Sequence, residues 1–255
     1  MKWKEWELIM EKIYFIIGAT SDIASEYIKK INSKKEKSTV IALYSGDKSK
    51  LEILSNSLDN IIFDFVECNL LDKLQIQKTI EYIQEKYQAP THILHTAAKK
   101  FEYVKFSKFN WDDVSIDLEI QVHSFSEFLK AFLPNMSKNR YGKIVVMLSS
   151  VTKGLPPKYL TQYTTVKYAL MGLLNSLVSE YKEKGININA VSPTMVDTSF
   201  LEKLDSRLIE MNAMNSGMKR NIKKEEVAAA INYLMSDDAE YINGLNLGIT
   251  GGDIL

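Results

Sequence analysis

Tyr163 and Lys167 stand four apart in Tyr163-Thr-Thr-Val-Lys167. On a helix that spacing puts both on one face, one turn apart. A free phenol titrates near about 10 and a free lysine near about 10.4, so neither alone carries protons well at neutral pH. Side by side, the ammonium favours the phenolate and draws the phenol's pKa down, which makes the tyrosine a usable acid and base. Ser149 and Ser150 close an apolar run just upstream and bring hydroxyls that can bond a reacting oxygen. Each residue also has a plain reading. A serine can end a strand, a tyrosine can sit half-buried, and a lysine stem can run over an apolar helix face.

The elements that must position these residues are legible as runs and periodicities. Continuous apolar runs of strand length stand at 13–17, 39–44, 61–66, 92–96, 143–148 and 186–191, with a short one at 245–249. Helical spacing fills the gaps at 23–31, 48–58, 74–87, 110–136, 161–183 and 225–235. Asn110 is the expected N-cap of the long helix, and Gly185 the stop after the helix that holds Tyr163. The stretch 194–220 is polar, contains methionines and has weak periodicity. Strands that alternate with helices demand a doubly wound α/β domain, a parallel sheet of about seven strands with helices on both faces. No linker or repeat divides the chain. The expectation is an N-terminal extension over 1–12 and one domain over 13–255.

Composition narrows the function classes. At 255 residues the chain is long enough for an ample core. Its formal net charge is zero, so no global field recruits nucleic acid or an anionic membrane. Lysines 29, 30, 34, 35 and 37 read as a solvated helix end. One cysteine, Cys68, excludes an intramolecular disulfide, and the three histidines show no metal-ligand spacing. No run approaches the length of a membrane span, and 13–17 is too short for a signal-peptide core. The default expectation is a cytoplasmic protein without metal.

The first strand ends in Gly18-Ala19-Thr20-Ser21-Asp22 and leads into a helix. Backbone N–H groups and the positive helix end suit a phosphate there. Taken together, these residues resemble the short-chain dehydrogenase/reductase family in its short, single-domain form, over about residues 12–252. The family's glycine-rich opening resembles Gly18 to Ala24, with Asp22 and Ala24 where glycine is usual. Its adenine-contacting acid falls at Asn69, beside Leu70. Its Asn-Asn-Ala-Gly turn appears as His95-Thr96-Ala97-Ala98. Its catalytic serine matches Ser150, 13 positions before Tyr163. Its Pro-Gly segment resembles Pro193 to Thr198, and its closing strand resembles 245–252. The asparagine that often joins the proton relay falls at Gln121, the same amide on a longer arm.

What the resemblance implies is a Rossmann fold and hydride transfer between a nicotinamide and a carbonyl or alcohol. Tyr163 would give or take the proton. Lys167 would lower its pKa and bond the nicotinamide ribose, and Ser150 would bond the substrate oxygen. Gly18, Thr20, Ser21, Asp22, Ile23, Ser45, Asn69, Leu70, Thr96, Ala97, Ala98 and Pro193 would hold the cofactor with Tyr163 and Lys167. Val196 and Thr198 would orient the carboxamide. Tyr44-Ser45-Gly46 at the end of the second strand, with Asp47 displaced and Lys48 and Lys50 near, favours NADP over NAD. A lid is expected over 198–220, its Phe200, Leu201, Leu204, Met211, Met214 and Met218 lining an apolar pocket. Leu155 to Lys158 would form a second wall. The partners implied are a small carbonyl or alcohol substrate and a second copy of the chain, as a homodimer or homotetramer built from 110–136 and 161–183. Two alternatives stand beside this. One is a family member that binds a nucleotide without catalysis, as a sensor or complex subunit. The other is a longer-type sugar-nucleotide enzyme, for which the chain is short.

Overall fold

The computed structural model describes residues 11–253. Residues 1–10 of the expected extension lie outside them, and Lys12 already belongs to the first strand. In chain order the elements are β1 (Lys12–Ile17), α1 (Asp22–Ser33), β2 (Ser38–Tyr44), α2 (Ser49–Ser55), β3 (Ile61–Glu67), α3 (Lys73–Tyr87) and β4 (His92–His95). They continue with α4 (Trp111–Leu118), α5 (Ser124–Asn139), β5 (Gly142–Met147), α6 (Thr161–Tyr181) and β6 (Ile186–Pro193). The chain closes with β7 (Val196–Asp197), α7 (Ser206–Asn215), β8 (Ile222–Lys223), α8 (Lys224–Leu234) and β9 (Asn246–Ile249).

Seven strands form one parallel sheet in the order β3-β2-β1-β4-β5-β6-β9. Strand β1 shows why its sequence is apolar throughout. Tyr14 and Ile16 pack on one face with Tyr27, Ile28 and Ile31 of α1 and Ile231 of α8. Phe15 and Ile17 pack on the other with Ile83 of α3, Phe125 and Phe128 of α5 and Leu170 of α6. A strand alternates its side chains between faces, so burial on both sides requires an apolar residue at every position. Phe15 meets Phe128 and Phe132 edge-on, with ring centroids 5.1 and 5.8 Å apart, an arrangement that aromatic quadrupoles favour.

Two stretches differ from the sequence reading. The helix expected over 110–136 is two helices joined by a wide π turn, Glu119–His123. Its apolar stripe carries across the joint, so periodicity alone does not reveal it. The stretch 194–220 contains α7 and the pair β7–β8, in which Val196 stands opposite Ile222. Two-residue strands have no period to read, and α7 buries none of its residues.

Strand β4 ends in histidine at both sides, and both are buried beneath aromatic rings. His92 stacks on Tyr14 at 4.4 Å and His95 on Phe125 at 4.5 Å. Burial is the main force that keeps His92 neutral, reinforced by the charges of Lys12, Lys34 and Lys143. Burial, then the Lys167 charge, pushes His95 down to about 3. Below their ordinary value the unfolded chain binds protons that the fold refuses, so stability falls as pH drops. Unfolding by urea should lose about 2 kcal/mol per histidine between pH ~7.5 and pH ~5. His95→Gln should flatten that slope, whatever its effect at neutral pH, and an unchanged slope refutes the account.

Candidate active site

Sheet order reverses between β1 and β4, and an open cleft of about 640 Å³ lies there beyond the carboxyl ends of the strands. That is where open α/β sheets place their ligands. Gly18 leaves β1 with φ of +83°. A Cβ on it would come within 2.7 Å of the Ala97 nitrogen, so glycine is required for both conformation and space. The Thr96 hydroxyl donates to the Gly18 carbonyl (3.0 Å) and accepts from the Ser21 hydroxyl (3.1 Å). Ser21 in turn caps α1 by accepting from the Ala24 N–H. The first-turn N–H groups that follow, of Asp22 and Ile23, are those a helix leaves without internal acceptors.

Helix α6 presents Tyr163 and Lys167 at the other end of the cleft. Lys167 is only 2% exposed. Its Nζ donates to Gln121 Oε1 at 2.7 Å and to the Met147 carbonyl, where β5 ends, at 2.8 Å. Gln121 reaches it from the wide turn between α4 and α5 and donates through Nε2 to Asp117 Oδ1 at 2.7 Å. Asp117 thereby fixes which way the amide faces. The Gln121 carbonyl accepts from His95 Nε2 at 3.0 Å, so that nitrogen carries the proton. An ammonium has three donors, and two of them are used here.

Burial pushes Lys167 down to about 8, with the Asp117 charge opposing. The phenol of Tyr163 is pushed up to about 12 by burial, opposed by a hydrogen bond from the Ser149 hydroxyl and aided by the Asp117 charge. This corrects the expectation that the ammonium draws the phenol down. Lys167 Nζ lies 5.6 Å from the Tyr163 ring centre, turned to Gln121 and Met147. Phe101 stacks on the Tyr163 ring at 4.6 Å and dries it.

The serine on the tyrosine is Ser149, one position nearer the strand than Ser150. Ser150 opens a short 3₁₀ turn, Ser150–Thr152, and lines the cleft without that contact. Thr152 holds the Ser149 carbonyl at 2.8 Å and anchors the turn.

The structure brings together on the cleft every cofactor residue read from the sequence, from Gly18, Ser45 and Asn69 at one end to Val196 and Thr198 at the other. Gln121 lies behind it, fully buried against Lys167. Phe200, Leu201, Leu155 and Pro157 line the same cleft. Leu204 and the methionines of 198–220 do not: Met211, Met214 and Met218 are exposed, and of α7 only Asn212 reaches the cleft. Sequence reading missed Asp117, whose spacing of four from Gln121 was the available signal, and Phe101, which carried none.

Residues 18–253 match the family model described as enoyl-(acyl carrier protein) reductase. The chain belongs to the short-chain dehydrogenase/reductase family. It is an oxidoreductase of the nicotinamide-dependent kind. The 3-oxoacyl-[acyl-carrier-protein] reductase FabG of Buchnera aphidicola (subspecies Acyrthosiphon pisum) is 31% identical over 240 residues, spanning 93% of this chain and 95% of that protein. The FabG of Thermotoga maritima is 28% identical over 96% of this chain and 98% of its own. Among solved structures, YwfH, an NADPH dependent reductase involved in bacilysin biosynthesis, superposes with a TM-score of 0.84 at 18% identity, covering 96% of this chain and 99% of that one. Levodione reductase gives 0.83 at 20%, covering 94% and 96%. Both likenesses speak for the fold.

The donor set fits the dinucleotide that this family uses. Lys167 keeps one N–H for the cleft, and Asn69, whose Oδ1 accepts from the Leu71 N–H, keeps its NH₂. Asp47 is occupied: its carboxylate accepts the Ser49 N–H (2.9 Å) and hydroxyl (2.8 Å), and so starts α2. Gly18→Ala should cost about 1–3 kcal/mol of stability from backbone strain alone. It should also abolish nucleotide binding in a fluorescence titration with NADPH; wild-type affinity in that variant would show that the loop is not the phosphate site.

Proposed function

We propose that this chain reduces a carbonyl on a small molecule, with Tyr163 as proton donor. The observation that carries the reading is the meeting of Tyr163, Ser149 and a buried, charged Lys167 at one end of a cleft whose other end is a glycine turn and helix N-terminus. A bound nicotinamide supplies the hydride. The chain's residues do the rest. Gly18, Thr20, Ser21 and Ile23 would hold the pyrophosphate, Asn69 and Leu70 the adenine, and Thr96, Ala97, Ala98 and Pro193 the walls beside the ribose and ring. Val196 and Thr198 would take the carboxamide, and the third Lys167 N–H the ribose. Ser149 would bond the carbonyl oxygen, placing it and stabilising the charge that develops. The phenol, protonated up to about 12, gives its proton to that oxygen.

The finer assignments are proposals of the same kind. Ser45 lines the cleft and Asp47 does not, so no acid stands there to bond an adenosine ribose, which supports NADPH over NADH. The apolar substrate side, with Phe101, Leu155 and Phe200, suits a ketone on an apolar tail, and relatives named for 3-oxoacyl reduction make β-ketoacyl thioesters the first substrates to assay. The segment 198–220 would be the lid. Exposed Trp111 and Ile116 on α4 and Tyr168 on α6 support a homo-oligomer through those helices. Among the described residues no helix is long and apolar enough to cross a membrane.

Tyr163→Phe should lower kcat by about 10²-fold or more while NADPH binding stays near wild type. Ser149→Ala should lower kcat by about 10²-fold and Ser150→Ala should change it little; the reverse order would return the role to Ser150. The Lys167 charge is present below about 8 and lost above it, so kcat/KM for reduction should fall as pH rises through that value. Asp117→Asn removes a charge that favours the protonated lysine and should move the fall to lower pH. Binding of NADPH without turnover of ketones, thioesters or keto sugars would refute the catalytic reading.

A further inference from the structure

Asp22 occupies the first position of α1 and points its carboxylate across the cleft mouth. Oδ2 accepts the Ser199 N–H at 2.7 Å, a contact between residues 177 positions apart. Oδ1 lies 3.7 Å from Lys50 Nζ on α2. Burial raises its pKa, and the Ser199 bonds with the charges of Lys50 and Lys224 more than offset that, holding it below the ordinary carboxylate range. Lys224, at the start of α8, is itself paired with Glu26 at 3.1 Å.

Ser199 opens the 3₁₀ turn Ser199–Leu201, directly after Thr198. Phe200 in that turn lies 5.7 Å from Phe101, the ring that covers Tyr163. The carboxylate on the nucleotide side therefore fixes the first turn of the segment that shapes the substrate side. It does so from the same helix end that would face the pyrophosphate, where a fixed negative charge opposes an incoming anion. Lys50 sits close enough to offset part of that charge.

We infer that Asp22 is a latch: it holds the lid's first turn in place through Ser199 and weakens the enzyme's grip on the cofactor phosphates by its charge. The inference rests on the proposed dinucleotide site for its second half only. Asp22→Asn keeps an acceptor and removes the charge, while Asp22→Ala removes both. In Asp22→Ala, hydrogen exchange of the 199–204 amides should speed by about 10-fold or more, with core amides of β1 and β4 unchanged as the control for folding. In Asp22→Asn those amides should stay protected, and the Kd for NADPH by fluorescence titration should fall by about 3-fold or more. With a ketone substrate in hand, Asp22→Ala should raise its KM more than it lowers kcat. Unchanged 199–204 exchange in Asp22→Ala overturns the latch, and an unchanged or weaker NADPH Kd in Asp22→Asn overturns the charge effect. If the wild type itself binds no NADPH, the dinucleotide reading fails, and the exchange result still decides the latch.

Discussion

The site depends on how one buried cation is satisfied. A lysine that is 2% exposed is costly to charge unless its donors are met. Lys167 is met by an amide and a backbone carbonyl, both neutral, so its charge is stabilised without being cancelled. Each partner constrains the fold. The Met147 carbonyl requires β5 to end where it does, and Gln121 requires the wide turn to face α6. Asp117 aims the amide, and His95 donates to the backbone carbonyl of the same residue, while burial and the Lys167 charge keep that histidine neutral in the sheet. A bidentate carboxylate at Gln121 would hold the lysine more tightly, but it would also neutralise the field that the tyrosine and substrate feel. An amide at that position preserves the field.

The parallel sheet was legible because its strands are buried on both faces, and that leaves continuous apolar runs of strand length. Helices α1, α3, α6 and α8 were legible from stripes that meet those strands. The wide turn was not, because Gln121 sits among residues whose apolar spacing continues past it. The elements within 194–220 were not, because α7 buries none of its residues fully and β7 and β8 are held by their pairing with each other rather than by a pattern.

The site was legible where chemistry and strand ends coincide: Gly18, Thr96, Tyr163, Lys167 and Val196 all border the cleft. At the serine, the sequence points to Ser150 by the run of β5 and by its spacing to Tyr163, whereas the hydroxyl that acts on the phenol in the structure is that of Ser149. The site was not legible in its electrostatics either. A sequence shows that an ammonium can stand beside a phenol, but not that Phe101 covers the ring or that the ammonium is turned toward Gln121. Those depend on contacts between elements far apart in the chain.

The wide turn at Glu119–His123 also separates two helical surfaces that a straight helix would bind together. In a regular α-helix each residue advances the face by about 100°, so a length change anywhere upstream rotates everything downstream. A π turn absorbs an extra residue locally. Helix α4 can therefore present Trp111 and Ile116 outward at an angle of its own, while α5 keeps Phe125, Phe128 and Phe132 against β1. The outer surface of the molecule is left free to diverge through α4 without disturbing the packing beneath the buried lysine.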